Sequence, residues 1–459
     1  MCPDATSGAP SAKNEKKRGV AYRNRIDALM NTFMRVHADT PSSYHTAKVV
    51  AEELEGNDFV EFRETETWDE KFASTNRGYV IRDGAIIGWI RPDKVSEKSS
   101  FQIVGAHTDS PAFKLKPIPF SQGPGNASDF TMANLEVYGG PILASWFDRD
   151  LCLAGRVVNK EGKPRLLFTG PVARIPHLAI HLYRQDDLHI DRQKDLQAIV
   201  STDLGPEKTF KEILGDSVAW DVFAVPMQPG HRIGLKDEFF AAGRLDNLTS
   251  VFAGMMAMIT MSRDLAKHNA VPENFLIFAA FDHEEVGSNS RSGAAGPFLE
   301  DVLGRIAALM GIEGDALRAM YARSFCVSAD AAHSIHPNYT EKYDPHTVPV
   351  LNEGPVLKLN ANQRYATDSW TAARWLAICK AQNVPVQYFV SNNDVPCGTT
   401  IGPITATRLG IPTVDVGVPL LSMHSSRELC GVYDIDWLHS ALTGFYAAKD
   451  RSTPNATKK

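Results

Sequence analysis

The sequence predicts an α/β protein in which a mostly parallel central sheet, flanked by helices, is interrupted by an inserted β-rich domain. Two observations predict the sheet. From Gly243 onward, short apolar runs alternate with helix-length runs, the pattern of strands that cross over through helices. Several of those apolar runs stop at acidic or imidazole side chains, where open parallel sheets place their ligands. The insertion is predicted by a change of texture over 112–239, where SQGPGNASDF, LEVYGG and LLFTGPVA bring turn residues and alternating patterns instead. The implied division is 1–111 and 241–459 as two parts of one domain, with 112–240 inserted between them.

In chain order, roughly the first 18 residues and the tail RSTPNATKK are polar enough to remain disordered arms. Two helices are expected between Gly19 and Glu55, the second capped near Ser42 or Ser43. Strands are expected over 78–81 and Ala85–Ile90, split by the turn dipeptide Asp83-Gly84. FQIVGAHTD, residues 101–109, reads as an apolar strand ending in polar donors. After the insertion come a helix over 251–268, a strand Phe275–Phe281 and a strand Phe325–Ala329 that stops at Asp330. A helix over 367–382, a strand over 384–391, a helix Ile401–Leu409, a strand over 413–418 and a helix over 434–449 complete the pattern.

At 459 residues the chain has room for two or three domains, or for one large α/β domain with an insertion. Hydrophobic residues at 43% and charged residues at 22% match an ordinary globular enzyme. A net charge of −6 speaks against a general nucleic-acid binder, which needs a basic face. No apolar run approaches the roughly 20 residues that span a bilayer, and MCPDATSGAPSAKNEKKRG lacks the apolar stretch of a secretory leader. Cys2, Cys152, Cys326, Cys379, Cys397 and Cys430 are scattered without CxxC spacing and read as reduced thiols. The expectation is a cytoplasmic protein with no nucleic-acid and no membrane partner.

FDHEEVG (281–287) carries the first chemical signal, because an apolar strand there ends in the adjacent carboxylates Glu284 and Glu285. Burying two like charges is costly unless cations or protons compensate them. Bound metal is the natural compensation, with one carboxylate ligating and its neighbour free to take a proton from water. His107 and Asp109 end another strand, Asp246 lies in GRLDN before a helix, Asp330 ends a third strand, and His424 follows the last one in MHSSRE. Each has an ordinary alternative: adjacent glutamates as solvated surface charge, His107 or His424 as a hydrogen-bonded structural histidine, Asp246 or Asp330 as a helix cap. Their joint placement at element ends of one inferred sheet favours the metal reading. Two imidazoles and three carboxylates suit zinc, with manganese or cobalt as substitutes. Ionised Asp246, Glu285 and Asp330 set three negative charges against the four positive charges of two divalent ions, and a bridging hydroxide completes neutrality.

The motifs GAHTDSP, SWFDRDLCLAGRV, RIPHLAIHLYR, RLDN, DHEEVGS, SADAAHSIHPNY, GPVLKLNANQRYA, DVPCGTTIGP and MHSSRE resemble those of the aspartyl aminopeptidases, dinuclear zinc exopeptidases that remove acidic N-terminal residues. The resemblance implies a zinc-exopeptidase-like fold with two Zn2+ per subunit. One would sit on His107, Asp246 and Asp330, and the other on Asp246, Glu285 and His424. Glu284 then matches the general base, and Asp109 holds the other nitrogen of His107. The family's substrate contacts correspond to His181, Glu284, His333, Lys358 and Tyr365, with Lys358 suited to an acidic side chain. The implied partners are peptides with an acidic N-terminal residue and further copies of the chain, in a tetrahedral homododecamer assembled through the inserted domain. HEEVG is not the HExxH helix of thermolysin-like enzymes, so that mechanism is not implied.

Two rival readings share these residues. One is another amide hydrolase with the same dinuclear centre, a carboxypeptidase or N-deacylase, for which a free α-carboxylate calls for an arginine clamp. The other is a non-catalytic assembly particle, which has no need of Glu284.

Overall fold

The computed structural model describes residues 20–184 and 187–448, so the polar arm and tail at the two ends lie outside the described residues. Among the described residues the strands form sheets of nine, six and five. The centre of the nine-stranded sheet is Phe275–Phe281, Phe101–His107, Phe325–Ala329 and Thr413–Gly417, all parallel. Antiparallel pairs flank this centre: Ala85–Ile90 joins Phe275–Phe281 on one side, and Val356–Lys358 joins Thr413–Gly417 on the other. Every residue of Phe101–His107 and Phe275–Phe281 is buried, which is why these runs are continuously apolar rather than alternating.

Strand periodicity divides those side chains between two cores. Val104, Ala106, Leu276, Phe278 and Ala280 pack on one face against the helices Leu245–Lys267 and Val432–Ala447. Phe101, Ile103, Phe275, Ile277 and Phe281 pack on the other against Phe298–Leu309 and Ile401–Leu409. At the N-terminal end, the helices Val20–Ala38 and Ser43–Glu55 cover the first face, and the Ser42 side chain caps the second helix by accepting from the His45 N–H.

The six-stranded sheet is wholly antiparallel and uses segments between Ala112 and Pro226, in the order Pro164–Phe168, Leu151–Asn159, Ser217–Pro226, Ala112–Gln122, Thr131–Tyr138 and Ala198–Ser201. It has its own core, including Phe113, Leu135, Trp146, Leu153 and Val222. An ionic and hydrogen-bonded network ties it to the rest: Arg156 reaches Asp83 at 2.7 Å and Asp221 at 3.1 Å, and Tyr44 donates to Asp221 at 3.1 Å.

The five-stranded sheet has no counterpart in the sequence reading. It orders His231–Ile233, Phe239–Ala242, Glu428–Gly431, Pro419–Leu421 and Ala332–His333, gathering short strands from distant parts of the chain. The strand expected over 384–391 is confined to Gln387–Phe389, because its partner Val356–Lys358 offers only three residues of ladder. Two helices, Phe298–Leu309 and Gly314–Arg323, were also not anticipated. Cys152, Cys326, Cys379, Cys397 and Cys430 are free thiols, and Cys2 lies outside the described residues. No helix among the described residues is long and apolar enough to cross a membrane.

Candidate metal centre and substrate pocket

Five chain segments converge beyond the carboxyl ends of the parallel strands. His107 is the last residue of Phe101–His107, and Asp330 directly follows Phe325–Ala329. After Phe275–Phe281 the chain turns through His283, at φ 64°, into the single 3-10 turn Glu284–Val286 that presents both glutamates. Asp246 lies at the start of Leu245–Lys267, where backbone angles of −80° and 105° depart from the helix. No side chain caps this helix end, so the capping alternative for Asp246 does not apply. His424 sits at φ 67° between Pro419–Leu421 and Glu428–Gly431.

Two groups of side-chain donors share Asp246. His107 Nε2 lies 3.2 Å from Asp246 Oδ1 and 3.4 Å from Asp330 Oδ1. His424 Nε2 lies 3.4 Å from Asp246 Oδ2 and 3.4 Å from Glu285 Oε2. Within each of the sets His107, Asp246, Asp330 and Asp246, Glu285, His424, one donor atom per residue lies within 4.8 Å of the others. A third such set joins His107, Glu284 and Glu285. Asp246 thus turns one oxygen toward each histidine.

Electrostatics identify this cluster as a place made for positive charge. Burial and nearby carboxylates push the Glu284 carboxyl up to about 8 and the Glu285 carboxyl well above its usual range. Burial alone would depress the His107 imidazole, yet the adjacent carboxylates of Asp109, Asp246 and Asp330 hold it well above its usual value. His424 rises to about 9 against burial, through the adjacent Asp246 carboxylate. The buried oxygens Asp246 Oδ1 and Glu285 Oε1 have no hydrogen-bond partner. Buried carboxylate oxygens of that kind, beside imidazole nitrogens, fit a divalent cation such as zinc.

Surrounding groups fix these donors. The Asp109 carboxylate accepts the backbone N–H of Glu284 at 3.0 Å and of Glu285 at 3.1 Å, locking the turn that carries them. His107 Nδ1 is 3.1 Å from the Asp109 main-chain oxygen and 3.5 Å from its carboxylate, so the carbonyl is its nearer acceptor. Glu428, missed by sequence reasoning, is buried and accepts the backbone N–H of His424 at 2.7 Å and of Asp246 at 3.1 Å. It stands in the MHSSRE motif, but its partner Asp246 is 182 residues away and nothing local announces the pair.

The residues expected to meet substrate divide into two places. Lys358 is 1% exposed and donates to the main-chain oxygens of Asp330 at 3.0 Å and Ala331 at 3.1 Å. Its ammonium stands 5.0 Å from the centre of the Tyr365 ring. His333 and Tyr365 line a cavity of about 180 Å3 with Lys342, Tyr343, Phe389 and Cys397. Burial, then the charge of Lys358, lowers the His333 pKa. His181 is elsewhere, on an exposed turn beside the exposed side chains Leu178, Ile180 and Leu182.

Comparison with known proteins gives the family. The family model for aminopeptidase I zinc metalloproteases, M18, matches residues 37–446. A probable M18 family aminopeptidase 2 from Streptomyces avermitilis is 43% identical over 440 residues, covering 92% of this chain and 98% of the relative. Among solved structures, Ape4 in complex with Nbr1 is 31% identical with a TM-score of 0.86, covering 93% of this chain and 87% of that one. The mApe1 dodecamer of S. cerevisiae is 27% identical with a TM-score of 0.81, covering 92% and 97%. With its donor cluster at the sheet's carboxyl edge and a family match over most of its length, the chain belongs to the M18 family of zinc metalloprotease aminopeptidases.

Proposed function

We propose that this M18 aminopeptidase removes acidic N-terminal residues, Asp or Glu, from peptides by means of two zinc ions that share Asp246. The observation that carries the proposal is the two-faced Asp246 carboxylate, with Oδ1 turned toward His107 and Oδ2 toward His424. His107, Asp246 and Asp330 would hold one zinc ion, and Asp246, Glu285 and His424 the other. Zinc bound there supplies a lowered water pKa and a polarised scissile carbonyl.

Protein groups do the rest. Glu284 is the more accessible acid of its pair, with 14% of its side chain exposed against 3% for Glu285. In this reading it takes the proton of the attacking water and returns it to the leaving amine. Asp109 keeps Glu284 in position through the backbone. Lys358 supports the acidic preference, because a buried ammonium wants a carboxylate and two of its three N–H donors already go to neutral carbonyls. His333 and Tyr365 line the neighbouring cavity as donors for substrate oxygens.

Self-association belongs to the same reading. Leu178, Ile180 and Leu182 are 61%, 64% and 75% exposed around His181, and the S. cerevisiae relative is a dodecamer. Another copy covering this segment would bury the apolar side chains and bring His181 to a neighbouring site. In that reading 112–240 is the assembly domain, and 1–111 with 241–459 form the catalytic domain.

The test is hydrolysis of aspartyl-, glutamyl-, alanyl- and leucyl-arylamides by the protein as isolated, after chelation, and after return of zinc, manganese or cobalt. Metal-dependent cleavage confined to the acidic substrates is expected. Equal cleavage of the leucyl substrate would remove the acidic assignment, and no cleavage in any condition would favour a deacylase or a non-catalytic particle. In Lys358→Met the ratio of kcat/KM for aspartyl over alanyl substrate should fall at least tenfold. An unchanged ratio would clear Lys358 of the selecting role.

A further inference from the structure

The segment that leaves the six-stranded sheet, YGGPI at 138–142, touches the metal cluster at four points. The Tyr138 hydroxyl donates to Asp109 Oδ2 at 2.7 Å, and Asp109 holds the backbone of Glu284 and Glu285 and flanks His107 Nδ1. Two residues on, the Gly140 oxygen is 3.1 Å from His424 Nδ1. Gly139, at φ 71°, passes so close that an added Cβ would lie 3.1 Å from the Glu285 Cβ. The Ile142 N–H then donates to the His424 oxygen at 2.9 Å. Tyr138 itself is held from the sheet side, its ring 5.1 Å from that of Phe223.

We infer that this segment is the outer clamp of the metal centre, orienting both histidines from the inserted sheet. Tyr138 acts on His107 through Asp109, and the Gly140 carbonyl acts on His424 directly. The Nδ1 side of each imidazole is occupied, by the Asp109 main-chain oxygen for His107 and by the Gly140 oxygen for His424, and its Nε2 side is turned to the cluster. Hydrogen bonds of this kind fix the tautomer and the ring plane of a metal-binding histidine, and their loss typically costs 10–100-fold in metal affinity or activity. The residue types follow from the placement. Gly139 and Gly140 let the backbone run along Glu285 and His424, and a tyrosine at the strand end spans the gap to Asp109. Tyr138 is therefore a positioning residue.

The inference rests on the two-zinc reading, and its test separates the two. Zinc retention is measured by competition with a chelator on the full-length protein, alongside kcat and KM for the aspartyl-arylamide. Tyr138→Phe keeps the ring on Phe223 and removes only the hydroxyl. It should weaken zinc retention by about tenfold or more and lower kcat, with KM little changed. Tyr44→Phe, which removes the other tyrosine hydroxyl bridging to the six-stranded sheet, should leave zinc retention as in wild type. In the double-mutant cycle of Tyr138→Phe with Asp109→Asn, the losses should not add, because both act on the hydrogen bond between the Tyr138 hydroxyl and the Asp109 carboxylate. Wild-type zinc retention and kcat in Tyr138→Phe, or additive losses in the cycle, would overturn the clamp. A wild-type protein that is fully active without zinc would instead overturn the metal reading beneath it.

Discussion

At the residue scale, two adjacent glutamates have different surroundings. Glu285 is sealed against His424, whereas Glu284 keeps partial access to solvent and lies 4.0 Å from His107. The sequence shows both acids but not which is sealed, since that depends on the turn through His283 and on Asp109 holding both backbone N–H groups. Glu284→Gln preserves the shape of the side chain and removes its ability to accept a proton. Turnover should fall by about 10²–10⁴-fold, the usual contribution of a general base, while zinc content and assembly stay as in wild type. Near-normal kcat in that variant would take Glu284 out of the role. The same dependence on surroundings hid Glu428 and Tyr138 from sequence reasoning. Each contacts the centre through partners far away in the chain, Asp246 for the one and Asp109 for the other.

At the element scale, what the sequence reveals well is the set of strands buried on both faces. Phe275–Phe281 and Phe325–Ala329 are uniformly apolar runs bounded by polar residues, and they appear in the structure with the limits expected. The five-stranded sheet was illegible because its strands are two to four residues long and two of its pairings join segments far apart in the chain. Yet this sheet brings GRLDN, SADAAH and MHSSRE side by side, through Phe239–Ala242, Ala332–His333 and Glu428–Gly431. Phe298–Leu309 was legible in principle: Phe298, Leu299, Val302, Leu303 and Ile306 recur at helical spacing and are all buried. The helix that carries Asp246 packs closely on the central strand, and a Cβ added at Gly254 would lie 2.6 Å from Phe278. Gly254→Ala should therefore destabilise by about 1–3 kcal/mol, overpacking outweighing the gain in helix propensity. Denaturant unfolding checks this, and a variant more stable than wild type would show that the helix can move off the sheet.

At the scale of the whole molecule, the two parts of the main sheet, the inserted sheet and the five-stranded sheet all end at one cluster of charge. That arrangement makes metal binding part of stability. With protein groups alone, burial and neighbouring carboxylates raise Glu284 to about 8 from its ordinary 4.5. A folded-state value above the unfolded one gives a penalty that is absent below about 4.5 and grows as pH rises toward 8. Bound zinc offsets the crowded negative charge, and protons no longer compete for the ligands as pH rises. The gap in melting temperature between zinc-loaded and chelated protein should therefore widen from about pH 5 to pH 8. A constant or narrowing gap would mean that these acids are not compensated by the metal.

The proposed sharing of Asp246 between two ions is most directly tested by counting zinc per chain in wild-type protein, Asp246→Asn, Asp330→Asn and His424→Ala after equilibration with a fixed free-zinc buffer. The expected result is two zinc ions per chain in wild type, one in Asp330→Asn and in His424→Ala, and loss of both sites in Asp246→Asn. One zinc ion per chain in wild type, or two retained in Asp246→Asn, would contradict it.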